Sequence, residues 1–148
     1  HTAAPRVMSL DNPNKKMSKT LPKGCLYLAD PPKVIKEKIK FAVTDSGREV
    51  SYNPEARPAI SNLVLIYSEF SGKPISTVTK QFQGSGYAEF KSELAELIIK
   101  TMKPFQARRA KLLKNRSHVL RILGAGSKKA RDIAKETMNE VRRKVGLI

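Results

Sequence analysis

Between Tyr87 and Lys114, the residues Tyr87, Phe90, Leu94, Leu97, Ile98, Met102, Phe105 and Leu112 recur at helical spacing and form one apolar stripe. A stripe of that period is buried along one face of a helix, and its residues are expected to be core rather than ligands. At ~1.5 Å rise per residue the rod would be roughly 40 Å long. Pro104 lies inside it and is expected to kink it, because the ring removes one ladder bond.

The remaining elements follow from punctuation and spacing. Ala3 to Gly24 reads as irregular, broken by Pro5, Pro13, Asn14, Pro22 and Gly24. The short apolar run Cys25–Ala29 is the one strand candidate. Asp30 can cap a helix that starts at Pro31, carries Ile35, Ile39 and Ala42 inward, and ends near Val43–Thr44. Ile60, Leu63, Val64, Tyr67 and Phe70 keep a three-four spacing, which predicts a helix closed by Gly72, although "LVLIY" alone could be a buried strand. "PISTVTKQFQG" reads as a short helix ending near Gly84. Ser117 can cap another short helix through Leu123, stopped by Gly124 and Gly126. A last helix is predicted from about Lys128, with Ala130, Ile133, Ala134, Met138 or Thr137, Val141 and Val145 inward and Gly146 closing it. Five or six helices with one strand make the fold mostly α, without repeats or low-complexity tracts.

With 148 residues and 40% hydrophobic content, the chain is expected to fold around a real core. No apolar run approaches the roughly 20 residues needed to cross a bilayer, and no signal-peptide core opens the chain. The opening His1-Thr2-Ala3-Ala4-Pro5 lacks an initiator methionine, as expected of a piece of something longer or of a tag remnant at His1. One cysteine, Cys25, suits a reducing compartment such as the cytoplasm or an organelle matrix, and its apolar setting predicts an inert buried thiol. With two histidines, His1 and His118, far apart, no soft-ligand metal site can be assembled.

Charge is the strongest bulk signal. Of 29 Lys+Arg and 13 Asp+Glu, residues 101–148 hold 14 basic and three acidic groups, net +11. An excess so concentrated points to a polyanionic partner. Asp132, Glu136 and Glu140, at four-residue steps among Lys128, Lys129, Arg131, Lys135 and Arg143, read as a solvated, mutually paired face.

The stretch "NKKMSKT", Asn14–Thr20, puts three lysines on an aperiodic loop. A lone lysine-rich match of this length is usually a charged surface turn. In context, however, "RVMSLDNPNKKMSKT" resembles the second signature segment of class I aminoacyl-tRNA synthetases in the tryptophanyl form, with Lys16-Met17-Ser18-Lys19-Thr20 as the signature pentapeptide. The segments 28–46, 53–72, 81–96 and 124–148 resemble successive stretches of the same family in the same order, so the likeness covers nearly the whole chain. Thr20 replaces the usual serine and keeps the hydroxyl; Leu21 stands where an aspartate is common.

The resemblance implies an architecture and a chemistry. Residues 1–30 would be the tail of a Rossmann-like catalytic domain, with the signature loop and one short strand. Residues 31–148 would be the helical bundle that binds the tRNA anticodon. The segment corresponding to the first half of the catalytic domain, with its tryptophan pocket, has no counterpart here, so the chain would be inactive alone. The implied reaction joins L-tryptophan to ATP, with Mg²⁺ accompanying the ATP, and then transfers the amino acid to tRNA(Trp). The substrate carboxylate is the nucleophile, so catalysis needs positioning and neutralisation of charge on the departing pyrophosphate. Lysine, a flexible point cation, suits that task. By resemblance Lys16 and Lys19 would be the catalytic phosphate ligands, Ser18 and Thr20 would donate hydrogen bonds, and Val7 and Met17 would pack near the adenosine. Lys15 reads as a solvent charge, and Arg6 is left unassigned. The loop shows no apolar anchors, as suits a flap that opens and closes.

For tRNA, Arg108, Arg109, Lys111, Lys114 and Arg116 around the end of the long helix, and Lys128, Lys129 and Arg131 at the start of the last, are the candidate contacts. Most such groups meet phosphates rather than bases. The family implies a homodimer, and the lack of a bilayer-length apolar run predicts no membrane partner. The rival reading is a non-catalytic basic helical RNA-binding module. A membrane-surface helix fits less well, because the stripes lack a Trp-rich face.

Overall fold

Two adjacent prolines decide where the first helix begins. The computed structural model describes residues 6–148; His1–Pro5, with the start of the expected irregular opening, lie outside the described residues. Helix α1 covers Pro32–Lys40, with Pro31 at the N-cap and Pro32 at the first helical position. The start is one residue later than Asp30-Pro31 suggests, because a residue preceding proline is pushed out of the α region. Asp30 does not cap; its Oδ2 accepts from Tyr27 N at 3.0 Å and from Lys38 Nζ at 2.6 Å.

The expected strand at Cys25–Ala29 is absent. A 3-10 turn, Pro22–Gly24, precedes this segment. Its backbone groups go to side chains instead of a ladder: Lys38 Nζ donates to Cys25 O at 2.7 Å, and Gln106 Nε2 donates to Leu28 O at 3.1 Å. Apolar residues alone made the run look like a strand, but no neighbouring strand pairs with it. Cys25 itself is buried.

Helix α2 (Pro58–Ser71) is the centre of the fold, with Ala59 through Val64, Ile66 and Tyr67 all buried. It is apolar nearly all round, as a helix enclosed by others must be. Gly72 closes it in the left-handed region at φ +69°. Helix α3 (Ile75–Gln81) contributes Val78, and Phe82 follows it. Helix α4 (Tyr87–Lys114) brings Phe90, Leu94, Ala95, Ile98 and Met102 inward and contains Pro104. Tyr67, Phe82 and Phe90 form an aromatic trio, with centroids 4.9–5.8 Å apart in two edge-to-face pairs and one stacked pair.

At the open end of this core, Arg57 grips Asp45 with two bonds, Nε to Oδ2 at 2.9 Å and Nη2 to Oδ1 at 3.0 Å. Tyr87 Oη donates to Asp45 Oδ1 at 2.5 Å and accepts from Arg57 Nη2. The trio ties the 43–57 loop to the starts of α2 and α4.

The chain divides inside α4 into two compact units, one ending at Gln106 and the other covering Ala107–Ile148. In the second unit, α5 runs unbroken over Arg116–Lys144 and buries none of its side chains. The expected break at Gly124 and Gly126 does not occur. A mid-helix glycine costs ~1 kcal/mol but forbids nothing, and the flanking residues are good helix formers. Asn115, rather than Ser117, is the cap, its side chain accepting from His118 N at 3.2 Å. The residues expected inward on the last helix are exposed instead: Ile133, Met138, Val141 and Val145 at 43–62%. Exposure also takes over the long stripe beyond Met102, with Phe105 at 59% and Leu112 at 41%. Among the described residues no helix is long and apolar enough to cross a membrane.

The Arg57 guanidinium beside Asp45 holds its carboxyl well below the usual carboxylate range. Burial, together with the bond to Asp45, pushes the Tyr87 hydroxyl up to about 12. The depressed carboxylate contributes stability that is complete above its unfolded value of 3.8 and lost as pH falls below it. The raised phenol contributes stability that is complete below 10.0 and lost as pH rises toward 12. Asp45→Asn is expected to lower unfolding free energy by about 1–3 kcal/mol at neutral pH and to flatten the acid limb, as measured by urea unfolding between pH 3 and 7.

Candidate functional site

Lys16 reaches solvent because a short hairpin puts it there. Ser9 N donates to Lys15 O at 2.8 Å and Met17 N to Val7 O at 3.0 Å, leaving Met8 opposite Lys16 in an antiparallel bridge. The turn between them is closed by Lys15 N to Asn12 O at 3.0 Å, and Asn12 Oδ1 accepts from Asn14 N at 3.1 Å. In such a register Met8 and Lys16 are a non-hydrogen-bonded pair, so the backbone groups of Met8 point away from the partner strand.

Those groups are taken by Asn62, 5% exposed on the buried helix α2. Its Oδ1 accepts from Met8 N at 2.9 Å and its Nδ2 donates to Met8 O at 2.9 Å. The hairpin stem is tied further by Leu10 N to Gly24 O at 2.9 Å and Val43 N to Leu10 O at 2.8 Å. Gly24 is buried in this corner, where any side chain would collide with Ser9 and Asp11. Sequence reasoning missed Asn62. The signal was there: a lone amide inside "AISNLVLIY" has to find partners when buried.

Beyond the bridge the loop faces water. Lys15, Lys16, Lys19 and Thr20 are exposed, and Ser18 is partly so. Ser18 Oγ and Thr20 Oγ1 lie 2.8 Å apart, Thr20 N donates to Ser18 Oγ at 3.3 Å, and Leu21 N donates to Ser18 O at 3.1 Å. Tyr27 Oη donates to Lys19 O at 2.8 Å. Contrary to the sequence expectation, the loop has apolar anchors: Met17 and Val7 are partly buried and pack against the core. Hairpin alternation turns Met17 inward while its neighbours face out. Among the described residues the ion pairs are Lys36–Glu96, Lys38–Asp30, Arg57–Asp45 and Lys144–Glu140, so Lys16 and Lys19 have no carboxylate partner. A loop with two unpaired ammoniums and two small hydroxyls can receive a polyanion. An open hollow of about 460 Å³, lined by Arg6, Met8, Asn14, Tyr52 and Asn62, lies alongside the hairpin.

The basic candidates lie in the second unit and are all exposed. Arg108, Arg109, Lys111 and Lys114 occupy the last two turns of α4, and Arg116 opens α5. Lys128, Lys129 and Arg131 fall in the middle of α5 rather than at a helix start, since the expected break is absent. The two groups are therefore kept apart: Arg116 and Lys128 are separated by 12 residues of helix, roughly 18 Å. Ala107–Ile148 holds 13 Lys+Arg against three Asp+Glu.

Comparison with known proteins bears on this geometry. The family described as tRNA synthetases class I (W and Y) matches residues 1–103. A tryptophan–tRNA ligase of Listeria monocytogenes is 44% identical over 144 residues, 96% of this chain and 43% of that protein. One of Halalkalibacterium halodurans is likewise 44% identical over 43% of its length. The chain thus spans less than half the length of these relatives. Among solved structures, tryptophanyl-tRNA synthetase of Campylobacter jejuni, complexed with ADP and tryptophan, superposes with a TM-score of 0.73 at 30% identity, over 99% of this chain and 45% of that one. The enzyme of Mycoplasma pneumoniae gives 0.66 at 27% identity over 72% of this chain and 34% of that one.

Replacing Asn62 by leucine leaves the Met8 amide and carbonyl without partners. The expected loss is about 1–3 kcal/mol, with faster amide exchange at Ser9 and Met17. Lys16→Ala should change unfolding free energy by less than about 0.5 kcal/mol.

Proposed function

Since the chain belongs to the class I tRNA synthetases of the tryptophan and tyrosine type, we propose that it serves a tryptophan–tRNA ligase, supplying the ATP-phosphate loop and the tRNA-binding helices. The observation that carries this reading is the pair Lys16 and Lys19, exposed and free of carboxylate partners on a loop whose stem is fixed from the core. The relatives' names, and the ADP and tryptophan bound to the Campylobacter enzyme, support the choice of nucleotide and amino acid.

In the adenylation step the tryptophan carboxylate attacks the α-phosphorus of ATP and pyrophosphate departs. Negative charge grows on the leaving group, and Lys16 and Lys19 neutralise it, Lys19 most strongly as the bond breaks. Ser18 and Thr20, which bond each other here, turn their hydroxyls to phosphate oxygens. Val7 and Met17, packed on the core, offer the adenosine their main chain. Mg²⁺ would accompany the ATP as its counter-ion. In the second step the tRNA is held by the cations of residues 31–148, chiefly Arg108, Arg109, Lys111, Lys114, Arg116, Lys128, Lys129 and Arg131. The complete ligase would work as a homodimer; this chain alone would bind tRNA without activating tryptophan.

In the complete ligase, Lys19→Ala should lower kcat for tryptophan-dependent ATP–pyrophosphate exchange about 10²-fold or more, with tryptophan affinity unchanged. An unaltered exchange rate would falsify the role of Lys19. Affinity of this chain for tRNA(Trp) is expected to fall steeply with salt, each phosphate contact removed lowering the log–log slope by ~0.7–0.9.

A further inference from the structure

The two lysines of the loop are held very unequally. Lys16 sits across from Met8, whose backbone is gripped by two buried bonds from Asn62. Lys19 lies beyond the hairpin, and Leu21, apolar and 52% exposed, gives the outgoing strand no polar tether. Among the described residues, one side chain from outside the loop bonds the main chain of 16–20: Tyr27, through its hydroxyl to Lys19 O at 2.8 Å.

Tyr27 is aimed there by a network rooted in two helices. Its own N–H donates to Asp30 Oδ2 at 3.0 Å. Lys38 of α1, bonded to Asp30 at 2.6 Å and to Cys25 O at 2.7 Å, sets its ammonium 4.7 Å from the centroid of the Tyr27 ring. Both members of that ion pair are largely buried, at 16% and 13% exposure. Gln106 of α4 donates to Leu28 O at 3.1 Å and Asp30 O at 2.9 Å. The segment carrying the phenol is therefore rigid, while the bond it makes to the loop is solvent-exposed.

We infer that Tyr27 is a positioning residue for Lys19. This deepens the reading of Lys19 as a phosphate ligand and rests on it. Fixing the Lys19 carbonyl fixes the turn from Ser18 to Leu21, so the ammonium samples fewer arrangements before it meets the departing phosphate. A single exposed hydrogen bond is strong enough to bias the loop and weak enough to be released in each cycle.

Tyr27→Phe removes one oxygen and keeps the ring beneath Lys38. In the complete ligase it should lower kcat for ATP–pyrophosphate exchange about 3- to 10-fold, the range of one net hydrogen bond, leaving the KM for tryptophan and the unfolding midpoint unchanged. In a Lys19→Ala background the same change should have no further effect, since Tyr27 acts through Lys19. Equal losses in both backgrounds, or no loss when Lys19 is present, would overturn the assignment. A Lys19→Ala enzyme with normal exchange would instead remove the phosphate-ligand reading beneath it, so the two failures are told apart.

Discussion

A single buried amide couples the core to the loop. Asn62 sits among Ile60, Leu63 and Val64 on the most enclosed helix of the fold, where an unpaired amide would cost several kcal/mol. Met8 would otherwise leave its own backbone N–H and C=O unpaired at the outer edge of the hairpin. Each satisfies the other, across 54 residues of chain. The consequence is geometric. With Met8 fixed, the register 7–17 and 9–15 is fixed, Met17 faces the core, and Lys16 faces water. The loop inherits its position from α2, and α2 is held by the Tyr67, Phe82 and Phe90 cluster.

Charge is handled differently in the two units. In the first, a few cations beside packed elements are given partners. Arg57 is matched to Asp45 and Lys38 to Asp30. Lys91 Nζ donates to Ala42 O at 2.7 Å, just beyond the C-terminus of α1, where carbonyls lack helical partners and a cation is favoured. Burial there lowers the pKa of Lys91. Lys16 and Lys19, like most cations of this unit, have no carboxylate partner among the described residues; what distinguishes their loop is a stem fixed to the core through Asn62. In the second unit most cations are left to solvent, which produces a diffuse positive field rather than a shaped pocket. A field of that kind attracts a polyanion at long range and is screened by salt.

Local rules read the helices well wherever a single residue settles the matter. Gly72 ends α2 because the left-handed turn suits a residue without Cβ, and the Tyr87–Lys114 stripe marked the limits of α4 correctly. They failed where the deciding partner lies elsewhere. The apolar run at Cys25–Ala29 looked like a strand, yet its backbone is bonded by Lys38 and Gln106 from two different helices. Gly124 and Gly126 looked like stops, yet α5 runs through them. Leu112, Ile133 and Val141 read as inward from their spacing, which says that a face is apolar and not whether anything covers it.

The sequence by itself determined a mostly helical chain, a charge excess toward residues 101–148, and a signature pentapeptide at Lys16–Thr20 whose residue types suit a phosphate. Those properties are local, set by spacing, composition and adjacent residues. Only the tertiary structure decided which lysine is clamped and which is tethered. That depends on Asn62 and Tyr27, whose hydrogen-bond partners are chosen by how α1, α2 and α4 pack, and no period in the chain encodes that packing.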